Sequence, residues 1–257
     1  MRACPRVLVD ADSLTRLPRL GGMARPDGVV IVSERFWAFA GTDGTLREGE
    51  MPRLRAQRVP LLRGLGKLAA AVSPVFRRRG VAGRREKHIF LAVLIAPLGF
   101  VFLPSAAAWA AWGLVTVALL AWLFRGGTLR LHGAEHRAIA AAEERRLAAT
   151  WDGSARPSRI SLRCGTNFAA LVIPVTVLAD AIWPFAAALY TPVLISVLSL
   201  AVTMEIWRVV QSSGTRLARI VLLPGLAMQR LTTREPSPAD TQVALTAVAA
   251  VLRRELS

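Results

Sequence analysis

Two apolar blocks constrain this chain more than any other feature. Residues 89–124 run for 36 residues without a charge, and residues 168–204 for 37 interrupted only by Asp180. As one helix, 36 residues would extend about 54 Å against a hydrocarbon layer of about 30 Å, so each block is predicted to fold back as a hairpin. The expected fold is therefore mainly α: a polytopic helical membrane protein with about four transmembrane helices in two hairpins. Pro104-Ser105 would form the turn of the first hairpin, and the stretch around Asp180 the outer turn of the second.

The formal net charge of +16 is not spread evenly. Arg77-Arg78-Arg79, Arg84-Arg85, Lys87, Arg125, Arg208, Arg216 and Arg219 border the apolar blocks. By the positive-inside rule this places both termini and the central segment on the cytoplasmic side of the cell membrane, with the lipid bilayer as partner. No aromatic-rich basic stripe or nucleic-acid module accompanies the charge, so nucleic acid is not expected as a partner. Two cysteines, Cys4 and Cys164, make no disulfide framework, and Cys164 is expected as a thiol. Nothing in the sequence fixes an oligomeric state.

On this reading residues 1–58 are a cytoplasmic β-containing region and 59–88 an amphipathic, polybasic juxtamembrane segment. Residues 89–124 form the first hairpin, 125–167 a cytoplasmic motif helix and loop, 168–205 the second hairpin, and 206–257 a cytoplasmic C-terminal region. Residues 6–12 and 29–48 supply the β-prone runs, with Asp43-Gly44 as a hairpin turn. Gly21-Gly22 begins a glycine-rich stretch suited to a turn or to close approach of a ligand. Leu222-Leu223-Pro224-Gly225-Leu226 reads as a break in an apolar run. Ser237 and Pro238 read as the cap and first position of a terminal helix.

Two of the three histidines fall in Leu131-His132-Gly133-Ala134-Glu135-His136. On a helix His132, His136 and Glu143 share a stripe about 40° wide, with Glu135 about 60° to one side. The spacing H-x-x-E-H matches inverted zincin sites, in which two imidazoles one turn apart hold zinc and the Glu between them is a general base acting on water. Glu143 lies about 10 Å further along the axis, so a third ligand has to come from elsewhere. Cys164, just before the second block, is a candidate, because both blocks return to the same side of the membrane. Glu205, at the far end of that block, could be a ligand, an acceptor for an imidazole N–H, or the ion-pair partner of Arg208.

Several strings together resemble the YqhQ-like family of bacterial polytopic membrane proteins, a group of unknown physiological role described as predicted metal-dependent enzymes. They are Gly21-Gly22-Met23-Ala24-Arg25, Pro60-Leu61-Leu62-Arg63-Gly64, His132 to His136 with Glu143, Arg163-Cys164-Gly165-Thr166, Glu205, and Pro224-Gly225 with Gln229 through Pro236. The resemblance implies an inner-membrane metalloprotein. It also exposes departures: Ala140 and Ser161-Leu162 stand where family members often carry further histidines.

The function these residues support is an integral-membrane, metal-dependent hydrolase acting at the cytoplasmic face on an amphipathic or membrane-associated substrate. His132, His136, Cys164 and Glu205 are the expected ligands of a divalent metal, zinc by donor type. Glu135 is the catalytic base, and Glu143 an outer or alternative ligand. The alternative is a non-enzymatic membrane scaffold in which the same polar cluster ties helix ends together. Metal transport is disfavoured, since no acidic residue sits firmly within a span.

Overall fold

The computed structural model describes residues 4–52, 59–77, 80–100, 103–185, 190–213 and 215–257. Arg78 and Arg79 of the polybasic stretch lie outside these residues. Four strands, β1 (Gly21–Arg25), β2 (Gly28–Val32), β3 (Phe36–Gly41) and β4 (Leu46–Glu50), form an antiparallel meander in sequence order. The β3–β4 turn is the one Asp43-Gly44 predicts: Gly44 takes φ 84°, and Asp43 accepts hydrogen bonds from the Thr45 amide and hydroxyl. The register sets Val29 opposite Ala40 and Ile31 opposite Ala38, putting these four on one face.

That face is covered by α5 (Thr128–Glu143) and α10 (Pro238–Leu256). Both helices present alanines to it, among them Ala134, Ala138, Ala141, Ala244 and Ala247, all fully buried. Small side chains let the helix backbones come close to the sheet and to each other. Leu131, Leu245, Val248 and Leu252 fill the remaining space. The opposite face carries Val30, Trp37 and Phe39, shielded by Val81. The α10 start is fixed by a reciprocal capping box between Ser237 and Asp240 with Pro238 in the first turn.

Residues 6–12, read as strand-prone, belong instead to helix α1 (Cys4–Ser13). Leu8 and Ala11, three apart, are buried on one side, and Asp12 accepts the Leu147 and Ala148 amides at the start of α6 (Leu147–Trp151). Helical spacing of the apolar pair and the capping carboxylate outweigh the short β-branched run.

The four-span expectation is corrected by the structure. The apolar blocks do form helices: α3 (Arg84–Phe100) and α4 (Ser105–Leu123) from the first, α7 (Gly165–Ala181) and α8 (Thr191–Ser213) from the second. Among the described residues, only Thr191–Ser213 is both long and apolar enough to cross a membrane. The apolar stretches 106–122 and 165–181 each have 17 residues, an axial rise of about 25 Å against about 30 Å of hydrocarbon. The second block does not divide evenly, because its break falls after Ala181, leaving the extra length to α8. The described residues thus form an α+β fold with one span-length helix, rather than a four-span bundle. A further difference is Leu222–Leu226, read as a break: Pro224 and Gly225 lie within the continuous helix α9 (Arg216–Thr232). There a Cβ on Gly225 would fall 2.5 Å from the Asn167 Cα, so α9 crosses α7 almost backbone to backbone.

Helix α2 (Leu62–Phe76) joins the outer part of the fold by crossing α8, with Gly64 against Met204. If α10 is core rather than a detachable appendage, Leu245→Ala should lower folding stability by about 2–5 kcal/mol in detergent, measured by denaturant unfolding. Leu114→Ala, at a side chain 71% exposed on α4, should change it by less than about 0.5 kcal/mol. Equal effects would contradict this packing.

Candidate metal centre

Helix α5 crosses the segment that follows α9, and Gly133 permits the crossing: a Cβ there would lie 2.2 Å from the Arg234 carbonyl oxygen. The Arg234 amide in turn donates to the Leu129 carbonyl. This contact sets both histidines against backbone acceptors. His132 Nδ1 lies 2.8 Å from the Thr232 carbonyl oxygen, and His136 Nδ1 lies 2.7 Å from that of Arg159. A carbonyl can only accept, so each Nδ1 carries the hydrogen and each Nε2 is left with a bare lone pair.

The two lone pairs meet a sulfur. His132 Nε2 is 3.3 Å from Cys164 Sγ, and the ligand atoms of His132, His136 and Cys164 all lie within 4.8 Å of one another. Tetrahedral zinc, with bonds of about 2.0–2.1 Å to nitrogen and 2.3 Å to sulfur, needs ligand separations of about 3.3–3.6 Å, so small side-chain adjustments suffice. His136 Nε2 is buried and has no hydrogen-bond partner. A buried orphan lone pair beside a thiol and a second imidazole is what a cation would satisfy, and the donor set fits zinc. Cys164 also caps α7, its sulfur accepting from the Thr166 amide and hydroxyl.

Burial governs the protonation of the cluster. It pushes the Cys164 thiol up despite the Thr166 hydrogen bonds, and pushes the Glu135 carboxyl up to about 8. Burial lowers His132, with the Thr232 carbonyl opposing. His136 is pushed down to about 4, by burial first and by neighbouring His132 second. At neutral pH all four groups are therefore uncharged. Loss of the Cys164 and Glu135 protons would supply two negative charges, matching a divalent ion.

Glu135 lies over strand β1, where a Cβ on Gly22 would come within 2.7 Å of its side chain. Gly22 thus serves close approach, within a strand rather than a turn. Gly22, Glu135, the three ligand candidates, Ser161 and Thr166 line one cleft of about 350 Å³. Glu143 and Glu205 are not brought to this cluster. Glu143 pairs with Arg163 at the surface. Glu205 accepts from Arg63, Arg208 and the Leu61 amide, which makes it the clasp between α2 and α8 and leaves no free oxygen for a metal. Of the positions where the resembling family carries histidines, Ser161 is engaged through its backbone by Gln229.

Sequence reasoning missed the supports. Fully buried Gln229 also donates to Asn167, which holds the Ser161 and Leu162 carbonyls. Arg159 is fixed by the Thr233 carbonyl and hydroxyl, and Arg137 by Pro157 and Glu235. The string Gln229 to Glu235 was the available signal: Gln229 and Thr233 are buried, Gln229 holding the Ser161 backbone and Thr233 the Arg159 side chain.

A family model described as a protein of unknown function (DUF1385) matches residues 126–254, about half of the chain, from the start of α5 to the end of α10. The match takes in His132, Glu135, His136 and Cys164. No curated protein and no solved structure matches the chain.

A Glu held protonated by burial stabilises the fold below its unfolded pKa of about 4.5, and that contribution is lost as pH rises through about 8. Metal-free Glu135→Gln should therefore gain stability relative to metal-free wild type as pH rises from about 5 to about 8. Thermal unfolding of the pair checks this, and the histidine contribution cancels because both proteins carry it. A pH-independent difference would contradict the buried, uncharged carboxyl.

Proposed function

The chain belongs to the DUF1385 family of proteins of unknown function, and from its cluster we propose that it is a metal-dependent hydrolase, with zinc the preferred ion. The observation that carries the reading is the pair of Nδ1-anchored imidazoles whose bare Nε2 atoms converge beside Cys164. Anchoring of the distal ring nitrogen to a backbone carbonyl is the usual way proteins orient metal-binding histidines. His132, His136 and Cys164 would hold the ion, which when bound acts as a Lewis acid and lowers the pKa of water. With three protein ligands the ion would keep a position for water or substrate, as catalytic rather than structural zinc sites do.

Glu135 is the residue that handles protons. With its own proton lost when a cation is bound beside it, Glu135 would accept a proton from the attacking water and return it to the leaving atom, as the water oxygen bonds to the acyl or phosphoryl centre and the bond to the leaving atom breaks. Gly22 leaves the room that its side chain occupies, since a Cβ there would fall 2.7 Å from it, so Gly22 is a positioning residue for it. The narrower YqhQ-like assignment belongs with this proposal and rests on the strings quoted above.

We further propose attachment to the inner membrane, where a membrane-associated substrate would be met. Support comes from span-length α8 and from exposed apolar side chains on α4 and α7, including Leu114, Val117, Ile173, Val177 and Leu178. The competing reading, a scaffold whose cluster only fastens α5 to the start of α7, requires no ion.

Detergent-purified protein should contain about one zinc per chain, and His136→Ala or Cys164→Ser should lower occupancy at least tenfold. Glu135→Gln should keep the metal while losing hydrolytic turnover by about 10²-fold or more. Cobalt-substituted wild type should show a thiolate charge-transfer band that Cys164→Ser lacks. Protein that is metal-free, and cannot be loaded, would leave the scaffold reading.

A further inference from the structure

A second cleft of about 530 Å³ adjoins the first, sharing Leu20, Gly21 and Arg163 with it. Its other wall is the last turns of α8 from Met204 to Ser212, with Gly64 and Lys67 of α2. Five cationic side chains line it (Arg19, Arg63, Lys67, Arg163 and Arg208) against two acids, Glu34 and Glu205. The lining is therefore strongly positive. Arg63 and Arg208 share Glu205, and Arg163 leans on Glu143. Among the described residues no acidic partner reaches Arg19 or Lys67, and both are exposed.

Such unspent charge beside a reaction cleft implies an anionic ligand. Position narrows its chemistry. The cleft lies at the end of α8, among the described residues the one helix long and apolar enough to cross a bilayer, where a headgroup would sit, and Trp207 adds an amphipathic ring to the wall. We propose that this cleft is the anion subsite of the same enzyme, and that it takes the phosphate of an amphiphile whose apolar part follows α8. Building on the hydrolase reading, this would present the linkage to the cluster across the shared Gly21–Arg163 edge and identify the substrate class as phosphate-bearing amphiphiles.

The test is binding of dioctanoyl phosphatidic acid to the zinc-loaded, detergent-purified full chain by titration calorimetry. Neutral dioctanoylglycerol controls for micelle partition, and inorganic phosphate is the third ligand. Phosphatidic acid should bind at least tenfold more tightly than dioctanoylglycerol. The double variant Arg19→Ala, Lys67→Ala should lose at least tenfold of that affinity while keeping the wild-type zinc content and melting temperature. Tighter binding of phosphatidic acid than of inorganic phosphate identifies a lipid headgroup, and equal binding a free phosphate group; both support an anion subsite. Wild type that does not prefer either phosphate ligand over dioctanoylglycerol, or a double variant that binds like wild type, overturns it. Zinc uptake separates the two readings: a chain that takes up zinc but binds no phosphate ligand removes the subsite alone, whereas a chain that takes up no zinc on loading yet binds the phosphate ligands removes the hydrolase reading and keeps the subsite.

Discussion

Two backbone carbonyls, those of Thr232 and Arg159, determine what the rest of this molecule can do. By accepting the Nδ1 hydrogens they fix the tautomer and the plane of each imidazole. Both free lone pairs then fall on the same side of α5, facing the helix cap where Cys164 sits. Without these acceptors, two histidines one turn apart would be rotors with interchangeable nitrogens, and their spacing alone would specify little.

The carbonyls are in turn held by residues far apart in sequence. Thr232 sits at the end of α9, which Gly225 brings against α7, and the loop bearing Arg159 is stitched to α9 by Gln229, Asn167 and Thr233. On the other side, α5 is seated on the sheet by its alanines and by α10. The cluster thus lies where the sheet-based half and the α7–α9 half meet. Buried polar networks of this kind are costly unless each member is satisfied. Among the site residues His136 Nε2 is buried without a partner, the atom left for a ligand.

Local features were legible in the sequence and long-range ones were not. The α5 helix, the Asp43-Gly44 turn, the Ser237 cap and the usefulness of Cys164 all follow from neighbouring residues, or from chain direction at the two blocks. The number of spans did not follow, because apolar length counts side chains and not where the helix breaks. Asp180 marked the region, but the break after Ala181 left a 17-residue helix on one side and a 23-residue helix on the other. Glu205 looked free to meet the histidines because Arg63, 142 residues earlier, could not be placed beside it. Gly22 read as a turn or a ligand approach and Gly225 as part of a break, while Gly64 and Gly133 stood only as members of an amphipathic stretch and a helical motif, whereas each marks a tight approach between elements. A missing Cβ has no sequence signature that distinguishes these uses.

The central claim is that one divalent ion is shared by two imidazole nitrogens and one thiolate. X-ray absorption at the zinc edge of the purified, zinc-loaded chain tests it most directly. The account predicts a four-coordinate first shell with one sulfur at about 2.3 Å, and nitrogen or oxygen neighbours at about 2.0–2.1 Å showing the outer-shell scattering of two imidazoles. A shell of light atoms without sulfur, or without imidazole scattering, would contradict it.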